Sequence, residues 1–304
     1  MRCCLARAWM VGLALAGGCG PDSAPDVDDS AISPTPWDYS EEPGTPSRTA
    51  AEIEALLPEA LVTLRAVDPG LLFDVYDQLV DAGDERCPDV HPAAHRFGWG
   101  GACTARTGWS YDGRAESLHL VETEEVHGHG DMDIFATITG PDGAVMVSNG
   151  SSVWTEATAD GERGFDGYVV GTFAWSGASG AGTWLAGGTS ATLWIKSGDD
   201  GAGARWLWLD GGVSTADAGL AVAAEGLRLN SAATGADCPT EPAGALRLRF
   251  TDGEVYRVAF DGAAEPTQPA ADCDGCGTVT FNDEALGTAC LDASPLLDWE
   301  GRPW

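Results

Sequence analysis

The chain of 304 residues carries 47 Asp and Glu against 16 Lys and Arg, a formal charge of −31 that argues against a partner held through nucleic-acid phosphates. Hydrophobic residues make up 44% and charged residues 21%, with 12 Trp, so the chain has the material for a packed core and is not disordered throughout.

Residues 1–18, MRCCLARAWMVGLALAGG, open with Arg2 and Arg7, continue as an apolar run from Trp9 to Ala16 and end in small residues before Cys19. That is the layout of an export signal. The apolar run is about half the ~20 residues that a membrane-spanning helix needs. The stretch Leu15-Ala16-Gly17-Gly18-Cys19 resembles a bacterial lipobox, with Leu15 one place further from the Cys than is usual. The resemblance implies cleavage before Cys19, lipidation of Cys19 and attachment to a membrane through its acyl chains. Gly20 after the Cys leaves outer-membrane delivery open. A single Lys among 16 cations, with abundant Ala and Gly, is similar to products of high-GC Gram-negative genomes.

Residues 20–48 are rich in Pro, Ser, Asp and Glu and hold few large apolar side chains. Such a segment does not offset its ordering entropy and reads as a disordered tether behind Cys19. Residues 49–83 then read as helical. Thr49 and Glu52 have the spacing of a capping box, and Pro58 is expected to end that first turn or to start a second helix. Asp68 suits an N-cap and Pro69 the first helical position, while Leu72, Val75, Tyr76, Leu79 and Val80 form an apolar stripe closed by Gly83.

Residues 84–304 change to short runs of Val, Ile, Leu, Thr and Trp divided by turn clusters such as Pro141-Asp142-Gly143 and Asp252-Gly253. Candidate strands are 117–126, 133–139, 144–148, 168–175, 183–186, 191–196, 205–209, 227–230, 245–250, 255–261 and 278–282. Connections this short favour antiparallel pairing. The expected fold is mainly β, an antiparallel sandwich or barrel-like domain with the short helical segment packed on it. One hairpin can be put in register. Leu246, Leu248 and Phe250 alternate with Arg247 and Arg249, while Tyr256, Val258 and Phe260 alternate with Arg257 and Ala259. Their apolar faces coincide only if the loop is Thr251-Asp252-Gly253, with Gly253 in the left-handed region.

Of nine Cys, Cys3 and Cys4 leave with the signal and Cys19 is the lipid site, which leaves an even six in an exported protein. Cys87 and Cys103 bracket one loop and are expected to pair. Cys276 and Cys290 flank a hairpin near Asp283, and Cys238 then takes Cys273. The alternative is that Cys273-Asp-Gly-Cys276 forms a redox pair or half of a zinc site.

All five His lie between 91 and 129. On a strand, His127, His129, Asp131 and Asp133 share one face, a spacing compatible with a divalent metal such as Zn²⁺ or Cu²⁺. The two intervening Gly favour a polar loop between strands over that metal site. No other cofactor is expected. The chain holds no Gly-x-Ser-x-Gly, His-Glu-x-x-His or P-loop pattern. Glu122, Glu124 and Glu125 are neighbours, but among so many carboxylates such a group marks a solvated face more often than a catalytic pair.

Trp194, Trp206 and Trp208 alternate with Leu193, Ile195, Leu207 and Leu209, so both faces of these strands read as apolar. They are core on one reading and a ligand platform on the other. The expected function is therefore a cell-envelope lipoprotein with a non-catalytic structural or protein-binding role. The alternatives are a carbohydrate-binding surface protein using Trp194, Trp206 and Trp208, and a metal-dependent hydrolase using the His127 cluster. Envelope proteins or glycans are the expected partners, beside the membrane itself.

Overall fold

The computed structural model describes residues 44–67, 69–93, 96–120, 126–159, 162–176, 189–199, 205–215, 219–230, 241–262 and 274–297. The chain divides into compact units 1–33 and 34–304, and all described residues belong to the second. Helices α1 (Ala50–Leu64) and α2 (Pro69–Asp81) come first. Strands β1 (His91–Ala93), β2 (Arg96–Thr104), β3 (Ser110–Leu120), β4 (Val126–Thr139), β5 (Val145–Ala159), β6 (Glu162–Ser176) and β7 (Thr189–Asp199) follow. The sheet continues through β8 (Arg205–Thr215), β9 (Leu220–Asn230), β10 (Ala243–Phe250), β11 (Val255–Asp261), β12 (Cys276–Phe281) and β13 (Glu284–Cys290), and α3 (Ser294–Leu297) comes last.

Each strand pairs antiparallel with the next, so the order across the sheet is the order along the chain. Among the described residues these strands form one 13-stranded sheet, and no pairing joins β1 to β13. A second stacked sheet is not needed to cover the apolar face, because the helices cover it. α1 packs on β8, β9 and β13, and α2 packs on β4, β5 and β6. α1 reaches strands four places apart, so the sheet bends around it. Ile53, Leu57 and Leu64 of α1 and Leu72, Phe73 and Val75 of α2 are buried against Ile134, Leu193, Ile195, Leu207, Leu209, Leu246 and Leu248. No helix among the described residues is long and apolar enough to cross a membrane.

The capping box forms as its spacing predicts, with the Thr49 hydroxyl accepting from the Glu52 N–H and Glu52 accepting from the Thr49 N–H at 2.7 Å. Pro58 neither ends nor starts a helix. It stands inside α1, which runs unbroken to Leu64. An interior Pro costs ~3 kcal/mol, whereas burying one Leu or Ile contributes about 1.5–3 kcal/mol. α1 buries Ile53, Leu57, Ala60, Leu61 and Leu64 along one side, and this packing outweighs the Pro.

In β10 and β11, Leu248 faces Tyr256 and Leu246 faces Val258, which is the register of the three-residue loop. Gly253 has φ +91° and its N–H donates to the Phe250 carbonyl at 3.0 Å. The stretch 127–133, expected as a loop, is strand, since β4 runs from Val126; of the expected strand 117–126, residues 117–120 belong to β3 and 121–125 lie outside the described residues. The glycine at 130 serves close packing instead of a turn, since Phe73 and Trp154 close over it. The candidate strand 183–186 lies outside the described residues.

Disulfides join Cys87 to Cys103, with Cα atoms 5.8 Å apart, and Cys276 to Cys290, which are cross-strand partners in β12 and β13. Cys276 is thus bonded to Cys290 and does not pair with Cys273. The pairing of Cys238 with Cys273 lies outside the described residues.

Ser47 and Arg48, which fall within the stretch expected as a tether, are instead held against the β10–β11 turn just before α1. Ser47 donates its N–H at 3.0 Å and its hydroxyl at 2.6 Å to Glu254. The Arg48 guanidinium bonds both Glu254 and, at 2.8 Å, Asp252, and it lies 3.8 Å from the centre of the Phe250 ring. Arg48 N–H donates to the Tyr256 hydroxyl, which donates in turn to Glu254 at 2.8 Å. The hydrogen bond from Arg48 holds the Asp252 carboxyl below the usual range. Burial alone raises Glu254, but its bonds from Ser47 and Tyr256 outweigh that and its pKa is also lowered. Replacing Asp252 by Asn and Glu254 by Gln together is expected to speed tryptic cleavage after Arg48 several-fold at neutral pH, with little change in melting temperature. Unchanged cleavage kinetics would mean that these contacts do not hold the junction.

Candidate functional site on the outer face of the sheet

Side chains on the helix-free side of the sheet supply the candidate sites, and two groups stand out. The first surrounds β4. His129, Asp131 and Asp133 project on one side and are half-buried, as the period of two requires. Arg96 on β2 reaches across β3 to bond both Asp131 and, at 3.1 Å, Asp133, with Glu116 3.7 Å away. Ser151 on β5 donates to Asp133, and His129 Nδ1 lies 2.7 Å from the Thr155 hydroxyl. Burial pushes the Asp131 carboxyl up against the opposing pull of Arg96. Burial also pushes the His129 imidazole down, against the pull of Asp131. The guanidinium therefore stands where a metal cation between Asp131 and Asp133 would stand. Among the described residues no group of three or more His, Cys, Asp or Glu is arranged to hold a metal ion. The His127 side chain lies outside the described residues. Arg96 carried no signal in the sequence, because its partners are 35 and 37 residues away.

The second group is aromatic. Directly opposed residues of antiparallel strands share a face, and the register opposes Tyr168 to Trp194, Asp166 to Lys196, Lys196 to Trp208, and Gly198 to Trp206. Trp194, Trp206 and Trp208 thus lie on one side, with Leu193, Ile195, Leu207 and Leu209 buried on the other. Trp194 is 47% exposed, while Trp206 and Trp208 are half-buried. The Tyr168 and Trp194 rings have centroids 5.1 Å apart, inclined at 42°. Lys196 Nζ lies 5.8 Å from the centre of the Trp208 ring and 2.9 Å from Asp166. The two-sided apolar pattern had left open which side of these strands faces the core, and the helices cover the leucine side. Trp154 shows the opposite outcome. It is buried on the inner face, edge-on to Phe73 at 6.2 Å and stacked on Phe165 at 6.4 Å. Trp99 is likewise buried and donates to the Tyr76 hydroxyl at 2.9 Å.

Exposed rings of this kind take flat apolar ligand faces, and the lysine and carboxylate beside them supply polar contacts at their edge. Tyr168 was not singled out in the sequence, because only the β6–β7 register brings it to Trp194. No family model matches the chain, and comparison with curated proteins and with solved structures finds no match either.

Proposed function

We propose that the protein is a non-catalytic binding module of the cell envelope, tethered through Cys19, that takes carbohydrate on the outer face of β6–β8. The observation that carries this reading is the exposed Trp194 paired with Tyr168, on the same face as the neighbouring row of Lys196 and Trp208. The C–H face of a sugar ring is apolar and its hydroxyls are polar, which suits an aromatic surface edged by Lys196 and Asp166. Tethering fits the same picture, because the contacts of Ser47 and Arg48 fix where the chain enters the folded unit.

The test is titration of the full-length chain in detergent with soluble neutral polysaccharides, read by Trp fluorescence. Saturable quenching is expected, and Trp194→Ala is expected to weaken binding by about tenfold, the effect of losing one stacking contact. Absence of saturable binding to every polysaccharide tried, or an unchanged affinity in Trp194→Ala, would overturn the glycan reading and return the protein to a structural or protein-binding role.

A further inference from the structure

The aromatic side chains of the outer face follow a path whose spacing is set by the sheet register. Tyr168 and Trp194 are directly opposed on β6 and β7. The residue opposite Trp194 on β8 is Asp210, so Trp208 is its diagonal neighbour, about 7–8 Å away. Trp206 stands two residues further along β8, another step of about 7 Å at the usual rise. The path therefore crosses from β6 to β7, passes diagonally to β8 and continues along β8, with about 17 Å between its ends at the usual strand spacing and rise. Polar groups flank it. Lys196 and Asp166, 2.9 Å apart, lie on one side, and Asp210, which accepts from the Gly226 N–H at 2.9 Å, lies on the other. Lys196 Nζ also lies over the Trp208 ring. An ion pair and a cation–π contact at an exposed surface are both weak, so a ligand ring can take the place of the lysine there.

We infer that the carbohydrate taken by this face is a linear chain of several sugars, bound along the path Tyr168–Trp194–Trp208–Trp206, rather than a single sugar or a disaccharide. The inference rests on the glycan reading above and names its ligand class. A pocket encloses most of a small ligand, whereas a sheet surface supports its ligand from one side only. Each sugar ring on such a surface gains one stacking contact, and a single contact of that kind is weak. Affinity has to be collected over successive rings. Sugars joined in one chain do this, because once the first is seated the next binds intramolecularly and the weak contacts add. A ring lying flat on an indole directs its hydroxyls outward around the edge. On this path that edge meets Lys196 and Asp166 on one flank and Asp210 on the other, so each flank offers hydrogen-bonding partners.

The experiment takes the neutral polysaccharide that gives saturable quenching, cuts it to oligomers of two to six sugars and titrates the full-length chain with each. Affinity is expected to rise on the order of a hundredfold from dimer to hexamer, as two further rings come into use at about tenfold each. That rise exceeds the several-fold gain which the extra registers of a longer oligomer supply. Trp206→Ala, at the far end of the path, is expected to weaken hexamer binding about tenfold and to leave dimer binding unchanged. The unchanged dimer affinity shows that the variant is folded. Trp194→Ala is expected to weaken both. Equal affinity for dimer and hexamer, a hexamer that binds Trp206→Ala and the unaltered chain alike, or a Trp206→Ala chain that loses dimer and hexamer equally would overturn the extended ligand and leave a compact glycan site standing. Absence of saturable binding to every polysaccharide would overturn both readings.

Discussion

Replacing Gly130 by Val is expected to lower the melting temperature by roughly 5–10 °C, the equivalent of about 2–3 kcal/mol for a unit of this size. Gly130 lies on the inner face of β4, under α2. A Cβ built there would fall well inside contact distance of Trp154 Nε1 and 2.8 Å from Phe73 Cζ. Those two rings already meet edge to face, and Trp154 stacks in turn on Phe165, so neither can withdraw without disturbing the next. Valine adds two methyl groups beyond that Cβ. The cost is therefore overpacking where α2 meets β4 and β5 through Phe73 and Trp154, and the change is expected to loosen α2 before it opens the sheet. Hydrogen exchange would read this directly, as faster exchange along 69–81 than along β9–β11. A melting temperature equal to that of the unaltered chain would show that α2 does not rest on Gly130 in the way its contacts indicate.

Replacing Pro58 by Ala has the opposite expected sign. It is expected to raise the melting temperature by about 3–6 °C, because an interior Pro costs ~3 kcal/mol relative to Ala and only about 1 kcal/mol is returned by the stiffer unfolded chain. Pro58 is exposed, so nothing packs on its ring that Ala would lose. Ala restores an N–H that can donate to the Glu54 carbonyl and removes the steric conflict of the ring with that same carbonyl. The buried side of α1, from Ile53 to Leu64, is untouched. A lower melting temperature in Pro58→Ala would mean that the bend which Pro58 imposes is needed to seat α1 against β8, β9 and β13.

The outer-face site depends on both of these helices, although neither contributes a residue to it. They cover the inner side of the sheet, and by doing so they leave Trp194 and Trp208 on the open side. Binding and stability are therefore expected to separate. Trp194→Ala acts on the ligand, whereas Gly130→Val and Pro58→Ala act on the fold.

What the sequence determined by itself follows from interactions that are local or strictly periodic. The Thr49 capping box spans three residues, and its two hydrogen bonds form between neighbours. The register of β10 and β11 follows from alternation with a period of two and a short loop, since a slip of one residue would turn one apolar face outward. The pairs Cys87–Cys103 and Cys276–Cys290 are separated by 16 and 14 residues and close loops that little else could close. What only the tertiary structure decided involves partners distant in the chain. α1 continues through Pro58 because strands more than a hundred residues later pack on its buried side. The glycines of 127–133 lie in a strand rather than a loop because Phe73 and Trp154 need the space over Gly130. Arg96 bonds Asp131 and Asp133 from two strands away, and Arg48 is held by a turn more than two hundred residues on. Most of all, a strand that is apolar on both sides does not say which side faces water. The placement of α1 and α2 says it, by burying Leu193 and Ile195 and leaving Trp194 exposed, because burial is a property of what packs across a face and not of the strand that bears it.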